Sequence, residues 1–167
     1  ESLALSAGNF TFSDEQVRTG SKSLKLVKDG SSATDNSFAA VFMNEADKLM
    51  ADTAYSVYFY IKPVTVAGAI EFSFFSNSEV NSHKGNSSGD RIAKMNLTMS
   101  QINAAPADEN GWHKIVISSE FYIDEAKPYM NLWNCQWDGA AAFYIDDITF
   151  EPIVAPEIEE NLLEADK

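Results

Sequence analysis

Within nine residues the chain gathers Tyr129, Asn131, Trp133, Asn134, Gln136 and Trp137, three large aromatics interleaved with three planar amides. A pyranose ring has an apolar C–H face and a rim of hydroxyls. Stiff, flat aromatic side chains suit the face, and amide donors and acceptors suit the rim. This stretch therefore has the composition of a sugar site. A second feature is the pair Asp146-Asp147 inside the apolar run Phe143-Tyr144-Ile145 … Ile148. Neighbouring strand residues face opposite ways, so the two aspartates do different jobs. A carboxylate close to a sheet interior must be paired or bind a metal, and calcium prefers such hard oxygen ligands.

Catalytic constellations are harder to find. Glycoside hydrolysis needs two carboxylates roughly 5–10 Å apart across a cleft. Glu71 is the one acid expected near the aromatic stretch, and it has no clear partner. His83 and His113 belong to no recognisable metal or triad pattern. Cys135 is the only cysteine, so it forms no internal disulfide, and it reads as a small core residue. No glycine-rich phosphate loop is present.

With 12 basic and 25 acidic residues the net charge is −13. Such a chain repels nucleic-acid backbones and anionic membranes. A neutral ligand or a cation fits better. At 167 residues, 45% of them hydrophobic, the chain suits one domain with a tail.

The elements that must position these residues are strands. Alternation of apolar and polar residues marks 23–28, 37–43, 55–62, 69–76, 91–98, 112–118, 128–134 and 142–150. Weaker strands are expected in 1–5 or 9–12, and helical turns at 45–50 and 100–104. Turn-forming stretches such as Asp29-Gly30-Ser31-Ser32 and Asp108-Glu109-Asn110-Gly111 separate the strands. Eight or nine short strands with frequent turns predict an all-β fold, a jelly-roll β-sandwich of two antiparallel sheets. Jelly-roll winding sends successive strands to alternate sheets. One sheet then holds 23–28, 142–150, 55–62 and 112–118. The other holds 37–43, 128–134, 69–76 and 91–98. The domain is expected to span 1–152. The segment 153–167 reads as an acidic linker, because Pro152 and Pro156 interrupt any ladder and acids follow.

Four stretches in order resemble carbohydrate-binding modules of the family 4/9/22 type. They are Gly20-Ser21-Lys22-Ser23-Leu24-Lys25-Leu26, the run from Leu49 to Lys62 containing Thr53-Ala54-Tyr55 and Phe59-Tyr60-Ile61-Lys62, Gly111-Trp112-His113-Lys114-Ile115, and the closing Tyr144-Ile145-Asp146-Asp147-Ile148. The resemblance implies a non-catalytic module that binds plant cell-wall polysaccharide (β-glucan, xyloglucan, xylan or mannan) in a concave cleft. It implies a covalently linked glycoside hydrolase as partner, and a secreted, extracellular or bacterial cell-surface setting. A monomer is expected. The resemblance also implies a structural calcium ion held by Glu1, by carbonyls near Ser21 and Lys22, and by Asp146. Alternatives remain a cell-surface adhesion domain with a protein partner and a jelly-roll glycan-degrading enzyme.

In modules of this type the cleft is the outer side of the sheet holding 128–134. Met130 and Leu132 suit the core, which turns Tyr129, Asn131 and Trp133 outward, with Gln136 and Trp137 on the adjoining loop. Glu71, Ser73 and Phe75 are expected outward on 69–76. Lys94 and Asn96 are expected to offer hydrogen bonds from 91–98, with Arg91 at its start. Strand 37–43 is ambiguous, because Phe38/Phe42 and Val41/Met43 are both apolar. Tyr58 and Tyr60 fall on the other sheet.

Overall fold

A computed structural model describes residues 2–7, 10–28, 35–42, 49–78, 91–136 and 139–153. Ten strands and one short helix follow one another. They are β1 (Ser2–Ala7), β2 (Phe10–Ser13), β3 (Ser23–Lys28), β4 (Asp35–Phe42), β5 (Ala54–Val66), β6 (Ala69–Asn77), β7 (Arg91–Thr98), α1 (Met99–Ala104), β8 (His113–Tyr122), β9 (Tyr129–Gln136) and β10 (Ala141–Pro152). One sheet has the order β1-β4-β9-β6-β7 and the other β2-β3-β10-β5-β8. All the pairings are antiparallel. This is the division that jelly-roll winding predicts. Both weak N-terminal candidates form strands, one added to each sheet edge.

The core lies between the sheets. Phe72 of β6 packs 5.1 Å from Phe59 and 5.6 Å from Phe143, and Phe74 lies 5.5 Å from Phe150, measured between ring centroids. Aromatic packing of this kind, edge-to-face in the last two pairs and tilted in the first, adds to the burial of large apolar area. Trp112 is also fully buried, just before β8. Its backbone N–H donates to Asp108 Oδ1 at 3.0 Å, so the loop ahead of β8 is closed by an aspartate.

Several strands run beyond the alternating stretches. β5 continues through Pro63, which lies opposite Phe143 next to a register shift. A bulge there spares the ladder bond that proline cannot donate. α1 begins at Thr98, whose hydroxyl accepts from Gln101 N–H while Gln101 Oε1 accepts from Thr98 N–H. Such a capping box stabilises a helix start, and the buried Ile102 anchors α1 to the core. Of the expected turn at 45–50, residues 45–48 lie outside the described residues, and Leu49 and Met50 are not helical.

Candidate functional site

Alternation along β6 separates the two faces of the first sheet. Ile70, Phe72 and Phe74 face the core, so Glu71, Ser73 and Phe75 belong to the outer face. Register carries that face across four strands. Phe38, Trp133, Ser73 and Lys94 stand in one row. Asn36, Cys135, Glu71 and Asn96 form the row on one side of it. Ala40, Asn131, Phe75 and Arg91 form the row on the other. Tyr129 stands opposite Asn77 at the end of the series, but it was expected to face ligand and is instead half-buried and packed against the core cluster. Met130 and Leu132, the alternate residues of β9, are buried in the core.

Two candidates fall elsewhere. Gln136 was expected on a loop beside the cleft, but it is the last residue of β9 and stands opposite core residue Ile70. β9 is longer than its alternation suggests, so the parity of the strand assigns Gln136 to the other face. Trp137 lies outside the described residues. Cys135, expected as a core residue, occupies a position in line with Glu71. The ambiguity of 37–43 resolves through the pairing of Phe38 with Trp133. That register aligns Phe38 with the outer row.

Burial modifies the outer face. Glu71, Ser73 and Phe75 are only 6%, 0% and 3% exposed. They were expected to meet ligand directly, but they sit on a central strand with paired neighbours on both sides. They are a floor, and Ser73 has no surface left to touch. The rim is supplied by the edge strand β7, where Lys94 and Asn96 are exposed and Arg91 is half-buried.

The floor carries a charge cluster. Glu71 Oε1 accepts from Ser73 Oγ at 3.1 Å. Lys94 Nζ approaches Glu71 Oε2 at 3.4 Å, and Arg91 approaches Oε1 at 3.6 Å. A buried carboxylate is tolerated when paired in this way. Arg91 reaches the cluster through a bulge. Phe74 pairs with Ala93 but Phe75 pairs with Arg91, so Ile92 is the extra residue. Strict alternation from core residues Ala93 and Leu97 would put Arg91 on the core face, and the bulge re-aims it. No sequence pattern at Arg91-Ile92-Ala93 announces that shift.

On the other sheet, Tyr58 and Tyr60 are half-buried and already occupied. The Arg18 guanidinium stacks 3.5 Å from the Tyr60 ring centre, and Lys114 Nζ lies 4.2 Å from that of Tyr58. Arg18 also donates to Asp147 at 2.7 Å and Asp108 at 3.2 Å. Thr19 Oγ donates to the other Asp147 oxygen.

Asp146 is the carboxylate that the resemblance assigns to calcium. Its Oδ2 accepts from Arg18 N–H at 2.8 Å and Thr19 N–H at 3.2 Å, and its Oδ1 from Asp147 N–H at 2.8 Å. Most of the lone-pair positions of a carboxylate are thereby taken. Burial still holds its pKa above the ordinary value, against those three bonds. An open groove of about 620 Å³ beside it is bordered by Ser21 and Lys22. A carboxylate and peptide carbonyls are the kinds of donor that calcium takes, six to eight oxygens in all. Among the described residues no three His, Cys, Asp or Glu side chains gather for a metal. Glu1 lies outside the described residues.

No family model matches the chain, and no curated protein matches it. Solved structures do. The CBM22-1 xylan-binding domain of Paenibacillus barcinonensis Xyn10C aligns with a TM-score of 0.52 at 15% identity, covering 92% of this chain and 87% of that one. CBM28, a non-crystalline cellulose specific carbohydrate-binding module, aligns with a TM-score of 0.52 at 15% identity, covering 85% and 79%. The enzymatically active domain of tailspike protein 4 from bacteriophage CBA120 gives a TM-score of 0.55 at 14% identity. It matches 90% of this chain but only 19% of its own length. The chain thus has the β-sandwich fold of carbohydrate-binding modules, as its four motif stretches lead one to expect.

Proposed function

We propose that this protein binds polysaccharide chains on the outer face of the first sheet and performs no chemistry on them. The observation that carries the reading is the row Phe38–Trp133–Ser73–Lys94 with Asn96 and Asn131 in the rows beside it. That register brings aromatic, amide and cationic residue types onto one face of four strands. Xylan and non-crystalline cellulose, the ligands of two structural neighbours, support a glycan as the class. The proposed ligands are single plant cell-wall chains: β-glucan, xyloglucan, xylan or mannan. A covalently linked glycoside hydrolase would gain local substrate concentration from the tether. The proposed setting is extracellular, with the protein as a monomer. Glu71 is the one carboxylate among the described residues of this face, and two cations hold it.

Affinity electrophoresis through gels containing each soluble glycan tests the reading. At least one polymer should retard the wild type. Trp133→Ala should run at least about tenfold weaker, the loss of one stacked aromatic at a central position, while keeping its melting temperature. If no glycan retards the wild type, or Trp133→Ala is retarded equally, the reading fails. A structural calcium belongs to the proposal only with further oxygens, from Glu1 and the peptide carbonyls near Ser21 and Lys22. A lower melting temperature after chelation and dialysis would support it, and an unchanged one would remove it.

A further inference from the structure

We infer that the outer face of the first sheet selects acidic glycans, chains bearing uronate carboxylates, and that Lys94 and Arg91 are the residues that do so. The inference rests on the glycan-binding reading and names the ligand's charge. Two cations converge on one carboxylate, Lys94 at 3.4 Å and Arg91 at 3.6 Å from Glu71. The other described residues in the three rows are neutral: Asn36, Phe38, Ala40, Phe75, Ser73, Asn96, Asn131, Trp133 and Cys135. Among the described residues of these rows one positive charge is therefore left over, in a chain whose net charge is −13.

The geometry makes that excess available. Glu71 is at the floor, with its side chain 8% exposed, whereas the side chains of Lys94 and Arg91 are 41% and 31% exposed. Glu71 anchors both cations from below and leaves donors above, because an ammonium has three and a guanidinium five. The Ile92 bulge brings the second cation to the face, where alternation alone would have sent it to the core. Lys94 is two strand spacings from Trp133, about 10 Å. A chain stacked at the Trp133 row and running toward the β7 edge therefore passes both cations. A uronate there pairs with Lys94 or Arg91, a charge-assisted bond stronger than a neutral one. Elsewhere the acidic surface of the protein repels such a chain, so register as well as affinity is set.

Titration calorimetry on the full chain, with two polymer pairs, tests this. Each pair is an acidic glycan and the same polymer after reduction of its carboxyl groups: glucuronoxylan and polygalacturonate serve as parents. In at least one pair the acidic form should bind about fivefold tighter at low salt, the size of one half-exposed ion pair. The gap should shrink as sodium chloride is raised. Lys94→Gln should remove most of it, and Lys94→Arg should restore it. Arg91→Gln, on a separate side chain, should lower the gap as well. Equal binding of acidic and reduced forms in both pairs overturns the inference while leaving glycan binding intact. A gap that survives Lys94→Gln and Arg91→Gln also overturns it. Failure of all polymers, neutral ones included, overturns the binding reading with it.

Discussion

Glu15 shows how far a single surface residue can be read. Its carboxylate accepts from Lys25 Nζ at 2.7 Å and from the Tyr144 hydroxyl at 2.6 Å. The Lys25 bond first, then the Tyr144 bond, hold its pKa below the ordinary value of 4.5. A lowered folded pKa means that the native state prefers the charged form. The stabilisation is present above the unfolded value and is lost as pH falls through the folded one. Glu15→Gln should therefore melt below wild type at pH 7, with the gap narrowing as pH falls below 4.5. A gap that is constant with pH would show that charge has no part in it. Nothing near Glu15 in sequence points to Tyr144, because the contact is made by the fold. The same holds at Arg91, where one bulged residue decides the face. By contrast Met130 and Leu132 were legible as core, since β9 alternates without interruption there. Glu71, Ser73 and Phe75 were legible as outward by parity. Their burial was not, because it depends on neighbours in two other strands.

At the scale of elements, alternation located the eight central strands, but turns and bulges set their limits. β10 shifts register between Asp146 and Thr149, with Asp147 at a φ of 52°, and so continues through Pro152. The connection from β9 to β10 passes through Gly139, which has a φ of 76° and whose added Cβ would stand 2.9 Å from that of Ala67. Gly20 has a similar φ of 73° with open space around it. The two glycines separate strain from crowding. Gly20→Ala should cost about 1 kcal/mol, the penalty of a left-handed backbone. Gly139→Ala should cost at least about 1 kcal/mol more, for the added overpacking. Chemical denaturation of both variants measures the difference, and equal costs would mean that the contact with Ala67 relaxes freely. At α1, Ile102→Ala should lose about 2–5 kcal/mol, because it empties a fully buried position.

At the scale of the whole molecule, winding accounts for more than any motif does. Once the strands were placed, alternation between sheets fixed which residues share a face, and the observed orders β1-β4-β9-β6-β7 and β2-β3-β10-β5-β8 follow it. Where the domain ends is a matter of hydrogen bonds. β10 is flanked by β3 and β5, and its pairing with β5 runs to Pro152 opposite Tyr55. One further bond, from Ile153 N–H to Ala54 O at 2.8 Å, closes that ladder. Beyond it, Glu157, Glu159, Glu160, Glu164 and Asp166 stand against Lys167 alone. A tether is the role proposed for that segment. A chain stopped after Ile153 should therefore melt within about 2 °C of the full one, a change of under roughly 1 kcal/mol, and retain its glycan affinity. A chain stopped after Thr149 loses the rungs at Phe150, Glu151 and Pro152 and the packing of Phe150 on Phe74 and Phe121. It should be several degrees less stable. If the first truncation falls as far as the second, residues past 153 are part of the folded domain, and the tether reading is withdrawn.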